Sequence, residues 1–76
     1  MSIAHIMIKK ASPDEFRRVS TSLNSLLGVD YAKADPGNLM ITVEYEDHLV
    51  NVNQLRKTVQ AAGIQVLSDW KEKELY

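Results

Sequence analysis

Hydrophobic positions recur along this chain with two periods, and their order predicts a βαββαβ arrangement. Apolar residues alternate with other residues in four stretches, which is typical of strands: 3–9, 29–34, 39–46 and 64–67. Two stretches between them carry apolar residues every three or four positions, as helices do. The first helical stripe is Phe16, Val19, Leu23, Leu26 and Leu27, and the second is Val52, Leu55, Val59 and Ala62.

Capping residues mark where the two helices begin and end. Ser12 and Glu15 have the spacing of a capping box, and Pro13 between them suits the first helical position. Asn51 begins the second helix with a weaker version of the same box. Glycines at positions 28 and 63 are predicted to end the two helices. The sequence Asp-Pro-Gly-Asn at 35–38 predicts a hairpin turn in which glycine supplies a positive φ.

The predicted elements fit a ferredoxin-like α+β fold. Right-handed crossovers and the burial of both helical stripes favour a four-stranded antiparallel sheet with both helices on one face. The first and third strands are then central. Residues 1–67 are predicted to form this single domain, and residues 68–76 a charged tail that carries Trp70 and Tyr76.

Composition excludes several classes of function. The 76 residues include no cysteine, which removes disulfides, thiolate metal sites and cysteine nucleophiles. The net charge of −1 argues against a nucleic-acid or anionic-membrane partner. No apolar run approaches the length of a membrane span, and no signal-peptide core is present at the start. We therefore expect a cytoplasmic protein that does not insert into membranes.

Apolar and glycine positions along residues 3–67 resemble those of the heavy-metal-associated (HMA) family. The resemblance is carried by Val19, Leu23, Leu26, Gly28 and Val29, by the hairpin at 35–45, and by the second helix and last strand at 50–66. It implies the ferredoxin-like fold, a setting in metal transport and a surface for protein docking. This chain resembles cysteine-free relatives of the family, some of which are fused to metal-transporting ATPases.

The metal-binding motif of the HMA family is missing from this chain. In that family a CxxC motif begins the first helix, and counting back from Gly28 places its two positions at Ser12 and Glu15. Lys10 stands where many members have a methionine before the motif. A soft Cu(I) site of that kind needs two thiolates. Because of this departure, thiolate metal transfer does not carry over from the family, and we expect no bound cofactor.

The start of the first helix has a structural and two functional interpretations. Ser12 and Glu15 are explained by helix capping. Asp14 and Glu15, with Asp69, would instead form a hard-cation site, although two exposed carboxylates supply few of the ligands such ions need. The lysines at 9 and 10 would favour an anion at the helix start, but the acidic residues oppose it.

The sheet face not covered by helices is the main candidate site. Alternation places His5, Met7 and Met40 on this face, with Met7 near Met40 and His5 near Thr42. Imidazole and thioether groups would suit Cu(I), so a metal site here is one alternative. The other is a contact surface for a protein partner, a second copy or the chain's own tail. Its predicted residues are Ile3, His5, Met7, Tyr31, Met40 and Trp70.

Catalysis and RNA binding have little support in the sequence. His5 and Glu44 would form an acid–base pair on the open face, but nothing predicts a pocket around them. RNA binding through such a sheet needs aromatic residues at the outward positions of the central strands. Those positions hold His5, Met7, Met40 and Thr42 in this sequence. We therefore expect a non-enzymatic binding or adaptor domain. The alternative is a metal chaperone that uses His5, Met7 and Met40, or the carboxylates at positions 14 and 15.

Overall fold

The computed structural model describes residues 1–71, which form one sheet and two helices in the predicted order. The elements are β1 (Ser2–Ile8), α1 (Pro13–Asn24), β2 (Val29–Asp35), β3 (Met40–Tyr45), α2 (Val52–Ala61) and β4 (Val66–Lys71). The strand order is β2-β3-β1-β4, and all neighbouring strands are antiparallel. The predicted ferredoxin-like fold with central β1 and β3 is therefore confirmed.

Strand alternation separates a buried face of the sheet from an uncovered one. Every second residue of the central strands is buried against α1 and α2. The core is completed by the helical stripes. Its members are Ala4, Ile6, Ile8, Phe16, Val19, Leu23, Ala32, Ile41, Val43, Tyr45, Val50, Leu55, Val59, Ala62 and Ile64.

Both predicted capping boxes are present. The Ser12 N–H donates to Glu15 Oε1 at 2.8 Å, and the Glu15 N–H donates to Ser12 Oγ at 3.2 Å. Asn51 and Gln54 exchange the same two bonds, each at 2.9 Å. These bonds satisfy backbone donors that the first helical turn leaves open.

The first helix ends earlier than predicted. It stops at Asn24 with Ser25 as its cap, and Gly28, at φ 98°, lies beyond the cap. Side chains of Thr21, Asn24 and Ser25 bond to carbonyls four residues earlier, and such bonds compete with the helical backbone. Leu27, predicted to lie in the buried stripe, is 82% exposed.

The hairpin turn differs from its prediction in the residue that takes the positive φ. The structure gives a positive φ of 49° to Leu39 and none to Gly37. Two turn bonds follow each other, from Asn38 N–H to the Asp35 carbonyl and from Leu39 N–H to the Pro36 carbonyl. The left-handed residue therefore comes at the end of the turn, where β3 begins.

The fourth strand begins and ends later than predicted. It starts at Val66 and pairs with β1 through Lys71, with a register shift next to Ile8. The predicted end at Leu67 is wrong, and Trp70 belongs to the sheet and not to a tail. Tyr76 and the rest of the predicted tail after residue 71 lie outside the described residues. Within residues 1–71, no helix has the length and apolar character needed to cross a membrane.

Candidate protein-contact face

The side of the sheet opposite the helices, here called the open face, brings together most of the predicted site residues. The register assigns to it Ile3, His5 and Met7 from β1, Met40, Thr42 and Glu44 from β3, Tyr31, Lys33 and Asp35 from β2, and Ser68 and Trp70 from β4. The central strands place apolar and polar side chains next to each other. The edge strands contribute the two large aromatic groups.

His5 occupies the centre of the open face between two cross-strand partners. Its Nδ1 lies 3.2 Å from Thr42 Oγ1, a hydrogen bond whose donor depends on the imidazole tautomer. On the other side its ring packs on the indole of Trp70, with centroids 4.2 Å apart and planes tilted by 32°. The imidazole is therefore fixed in position by neighbours on both β3 and β4.

Apolar side chains continue the open face away from His5. Met7 and Met40 are direct cross-strand partners, and Ile3 lies opposite Glu44. Ile3, Met7 and Met40 are all partly exposed. Trp70 keeps 49% of its surface accessible despite its contact with the imidazole. The apolar surface therefore runs across β3, β1 and β4 without a covering layer from residues 1–71.

Tyr31 lies apart from this apolar surface because β2 and β4 are opposite edges of the sheet. It is 52% exposed and belongs to a shallow depression of about 270 Å³. The depression is lined by Tyr31, Lys33, Asp35, Thr42 and Glu44. Sequence reasoning missed this group of charges, although the period-two alternation of β2 places Lys33 and Asp35 on the same face as Tyr31.

The capping interpretation of Ser12 and Glu15 is confirmed by their hydrogen bonds. Donation from the Ser12 backbone N–H is the main cause that lowers the pKa of Glu15. Asp69, considered with them as a cation ligand, lies on β4 and its Oδ2 is 3.6 Å from Arg56 of α2. Residues 1–71 contain no cluster of three histidine or acidic side chains placed to hold a metal ion.

A second group of charged side chains lies at the end of the domain that holds the β3–α2 loop. Asp47 accepts from Ser2 Oγ at 2.7 Å and from Lys71 Nζ at 3.2 Å, joining this loop to β1 and β4. The Ser2 bond is the largest cause that lowers the pKa of Asp47. A side-chain hydrogen bond with Asp30 raises the pKa of Glu46. These pairings join residues far apart in the chain, so no periodic pattern predicts them.

Comparisons with known proteins identify the fold. No family model matches the sequence, and no curated protein sequence is significantly similar to it. The structure is similar to that of a CopZ metallochaperone, with a TM-score of 0.81 and 24% identity over 87% of this chain and 100% of that chain.

Two domains of transport ATPases have the same architecture. One is a copper-binding domain from HMA7, a P-type ATPase, with a TM-score of 0.80 and 17% identity over 91% of this chain and 97% of that chain. The other is the N-terminal domain of a potential copper-translocating P-type ATPase from Bacillus subtilis, solved in its Cu(I)-loaded state. It gives a TM-score of 0.77 and 22% identity over 99% of this chain and 98% of that chain.

Proposed function

We propose that this chain is a non-enzymatic HMA-like binding domain that contacts a protein partner through its open face. The setting that fits it best is metal transport in the cytoplasm, because the solved structures it resembles are a metallochaperone and metal-binding domains of transport ATPases. In this proposal the domain acts as an adaptor or regulatory module and carries no cofactor.

The observation that carries the proposal is the uncovered apolar surface around His5 and Trp70. A large aromatic group that is half exposed and held in place by a neighbour loses little conformational freedom on binding, which makes it an effective anchor. Met7 and Met40 beside it are flexible and polarizable, and such side chains adapt to a partner surface. The charged depression at Tyr31 would supply the polar edge of the same contact.

The start of α1 supports a role without thiolate chemistry. The two positions that correspond to the family's CxxC motif hold Ser12 and Glu15, which bond to each other's backbone N–H groups. Their polar atoms are used in stabilising the helix. The domain would thus retain the fold of a metal-transfer module and use a different surface.

Site-specific photo-crosslinking in the cells that produce the protein tests this proposal. A photoreactive residue at Met40 is expected to capture a discrete partner, and the same residue at Lys57, exposed on α2, is the matched control for the opposite side. Ile3→Asp in the Met40 probe should abolish capture because it places a charge within the apolar surface. Equal capture from both positions, or capture that survives Ile3→Asp, would refute contact through the open face.

A metal site formed by His5, Met7 and Met40 is the second candidate. It is favoured by the register, which makes the two methionines direct partners and puts His5 two residues from Met7 on the same face. Titration with Cu(I) under reducing conditions, followed by NMR of the methionine methyl groups, tests it. Micromolar binding that a Met7→Ala, Met40→Ala double variant removes would establish the metal site. The carboxylates of Asp14 and Glu15 are the alternative metal ligands. The same titration of an Asp14→Asn variant tests whether they contribute to binding.

A further inference from the structure

The two edges of the sheet differ in how their backbones are protected. At the β2 edge, the side-chain amide of Asn24 bonds to both backbone groups of Ala32. The Ala32 N–H donates to Asn24 Oδ1 at 3.0 Å, and Asn24 Nδ2 donates to the Ala32 carbonyl at 3.3 Å. The amide thereby occupies the position that another strand would take. An exposed edge strand is a template for further pairing, and such blocking is one way in which proteins prevent it.

Among the described residues, positions 66–69 of the β4 edge have no comparable cover. Within residues 1–71, no side chain is hydrogen-bonded to the backbone of residues 66–69, and β4 has a sheet neighbour only on its β1 side. The register shift beside Ile8 distorts the beginning of the strand. The regular part is therefore its second half, which contains Asp69, Trp70 and Lys71.

We propose that β4 pairs with β4 of a second copy of this chain, antiparallel and about a two-fold axis at Trp70. A two-fold axis perpendicular to the sheet keeps each residue on its own face, so Trp70 lies opposite Trp70 of the other copy. The two sheets then form one eight-stranded sheet with a continuous open face. This pairing uses the strand edge and does not depend on the function proposed for the open face.

Charge complementarity selects a second copy as the occupant of this edge. With the axis at Trp70, Asp69 of each copy lies directly opposite Lys71 of the other, so one register creates two opposite-charge pairs. Cross-strand pairs of opposite charge and of aromatic residues are both favourable. Asp69 and Lys71 already have intrachain partners, Arg56 and Asp47. Dimer formation would join these pairs into one network on the helix-covered side.

Charge exchange at positions 69 and 71 tests the pairing. Sedimentation velocity of the wild-type chain, from micromolar to millimolar concentration, is expected to show a dimer fraction that rises with concentration. Asp69→Lys and Lys71→Asp should each remain monomeric because like charges then face each other. An equimolar mixture of the two variants should dimerise, since every cross-strand pair is again opposite in charge. Lys33→Asp, on the blocked β2 edge, is the matched control and should behave as wild type.

Three results would overturn the proposal: a wild-type chain that is monomeric at millimolar concentration, single variants that dimerise as wild type does, or a mixture that stays monomeric. Disulfide trapping gives an independent measurement if a charge variant fails to fold. The chain has no cysteine, and Trp70→Cys would place two thiols opposite each other at the axis, within bonding reach. Oxidation should cross-link this variant and not Tyr31→Cys. Equal cross-linking of the two would also refute the proposed register.

Discussion

The imidazole of His5 stacks on the indole of Trp70 across the β1–β4 pair, with ring centroids 4.2 Å apart. This contact joins a central strand to an edge strand on the face that the helices leave uncovered. It also fixes the largest exposed aromatic group of the described chain in one orientation. The same two residues therefore contribute to both the stability of the β4 edge and the shape of the open face.

A double-mutant cycle should detect coupling between these two rings. We expect His5→Ala and Trp70→Ala each to lower the free energy of unfolding, and the double variant to lose less than the sum of the two. The difference should be about 0.5–1.5 kcal/mol, the range found for aromatic pairs. Urea unfolding followed by far-UV circular dichroism measures it. Tyr31→Ala, at the opposite edge, is the control and should be additive with His5→Ala; strict additivity of His5 and Trp70 would contradict the stacking.

Introducing two cysteines at the start of α1 tests whether positions 12 and 15 correspond to a metal-binding pair. Ser12→Cys with Glu15→Cys should create a thiolate pair that binds Cu(I), because the fold resembles those of metal-binding domains. The variant should also lose about 1 kcal/mol of stability in the absence of metal, since Ser12 no longer caps the helix.

Competition with a chromogenic Cu(I) chelator measures the affinity of this variant. Ser12→Cys alone is the matched control, because it removes the cap but supplies one thiolate. If both variants bound Cu(I) equally weakly, the two positions would not correspond to a metal-binding pair.

The fold was predictable because alternation decides which face each strand residue takes. Ile6 and Ile41 could be assigned to the core, and His5 and Met40 to the open face, from parity alone. The capping boxes were equally direct, because Ser12 and Glu15 contact each other within one helical turn. The part of the open face that the two central strands contribute was therefore available from the sequence, whereas the place of Trp70 in β4 and the charged group at Lys33 and Asp35 were not.

Two kinds of interaction explain what could not be predicted: local side-chain bonds within α1 and tertiary ion pairs of β4. The apolar spacing of α1 continues to Leu27, but the side-chain bonds of Thr21, Asn24 and Ser25 accompany an earlier end. The second half of β4 lacks a clear apolar alternation because its charges, Asp69 and Lys71, pair with other elements. Such pairings depend on tertiary structure, so they leave no periodic pattern in the sequence.

Substitution of Gly28 should be far more damaging than substitution of Gly37. Gly28 has a φ of 98°, and a Cβ there would lie 2.8 Å from Cβ of Leu49, so both backbone strain and a clash follow. We expect Gly28→Ala to lower the free energy of unfolding by roughly 1–3 kcal/mol. Gly37→Ala is the matched control, because its nearest neighbour would be an Asp35 oxygen at 3.5 Å; its effect should stay within about 0.5 kcal/mol. Thermal and urea unfolding compare the two, and equal losses would contradict the backbone geometry.

The two acidic residues after β3 should give opposite dependences of stability on pH. The pKa of Asp47 is lowered in the folded state, so its contribution is present above its ordinary value of 3.8 and is lost as the pH falls through the lower folded value. Ser2→Ala should therefore destabilise the domain at neutral pH, and the difference from wild type should shrink in acid.

Glu46 has the opposite sign because its pKa is raised by the side-chain hydrogen bond with Asp30. Its favourable contribution is full below its ordinary value of 4.5 and is lost as the pH rises through the raised folded value. Near neutral pH the two carboxylates repel each other, so Glu46→Gln should raise the melting temperature there and have a smaller effect in acid. Melting temperatures of wild type, Ser2→Ala and Glu46→Gln between neutral and acidic pH measure both dependences. A Glu46→Gln gain that is the same at every pH would contradict the Asp30–Glu46 contact.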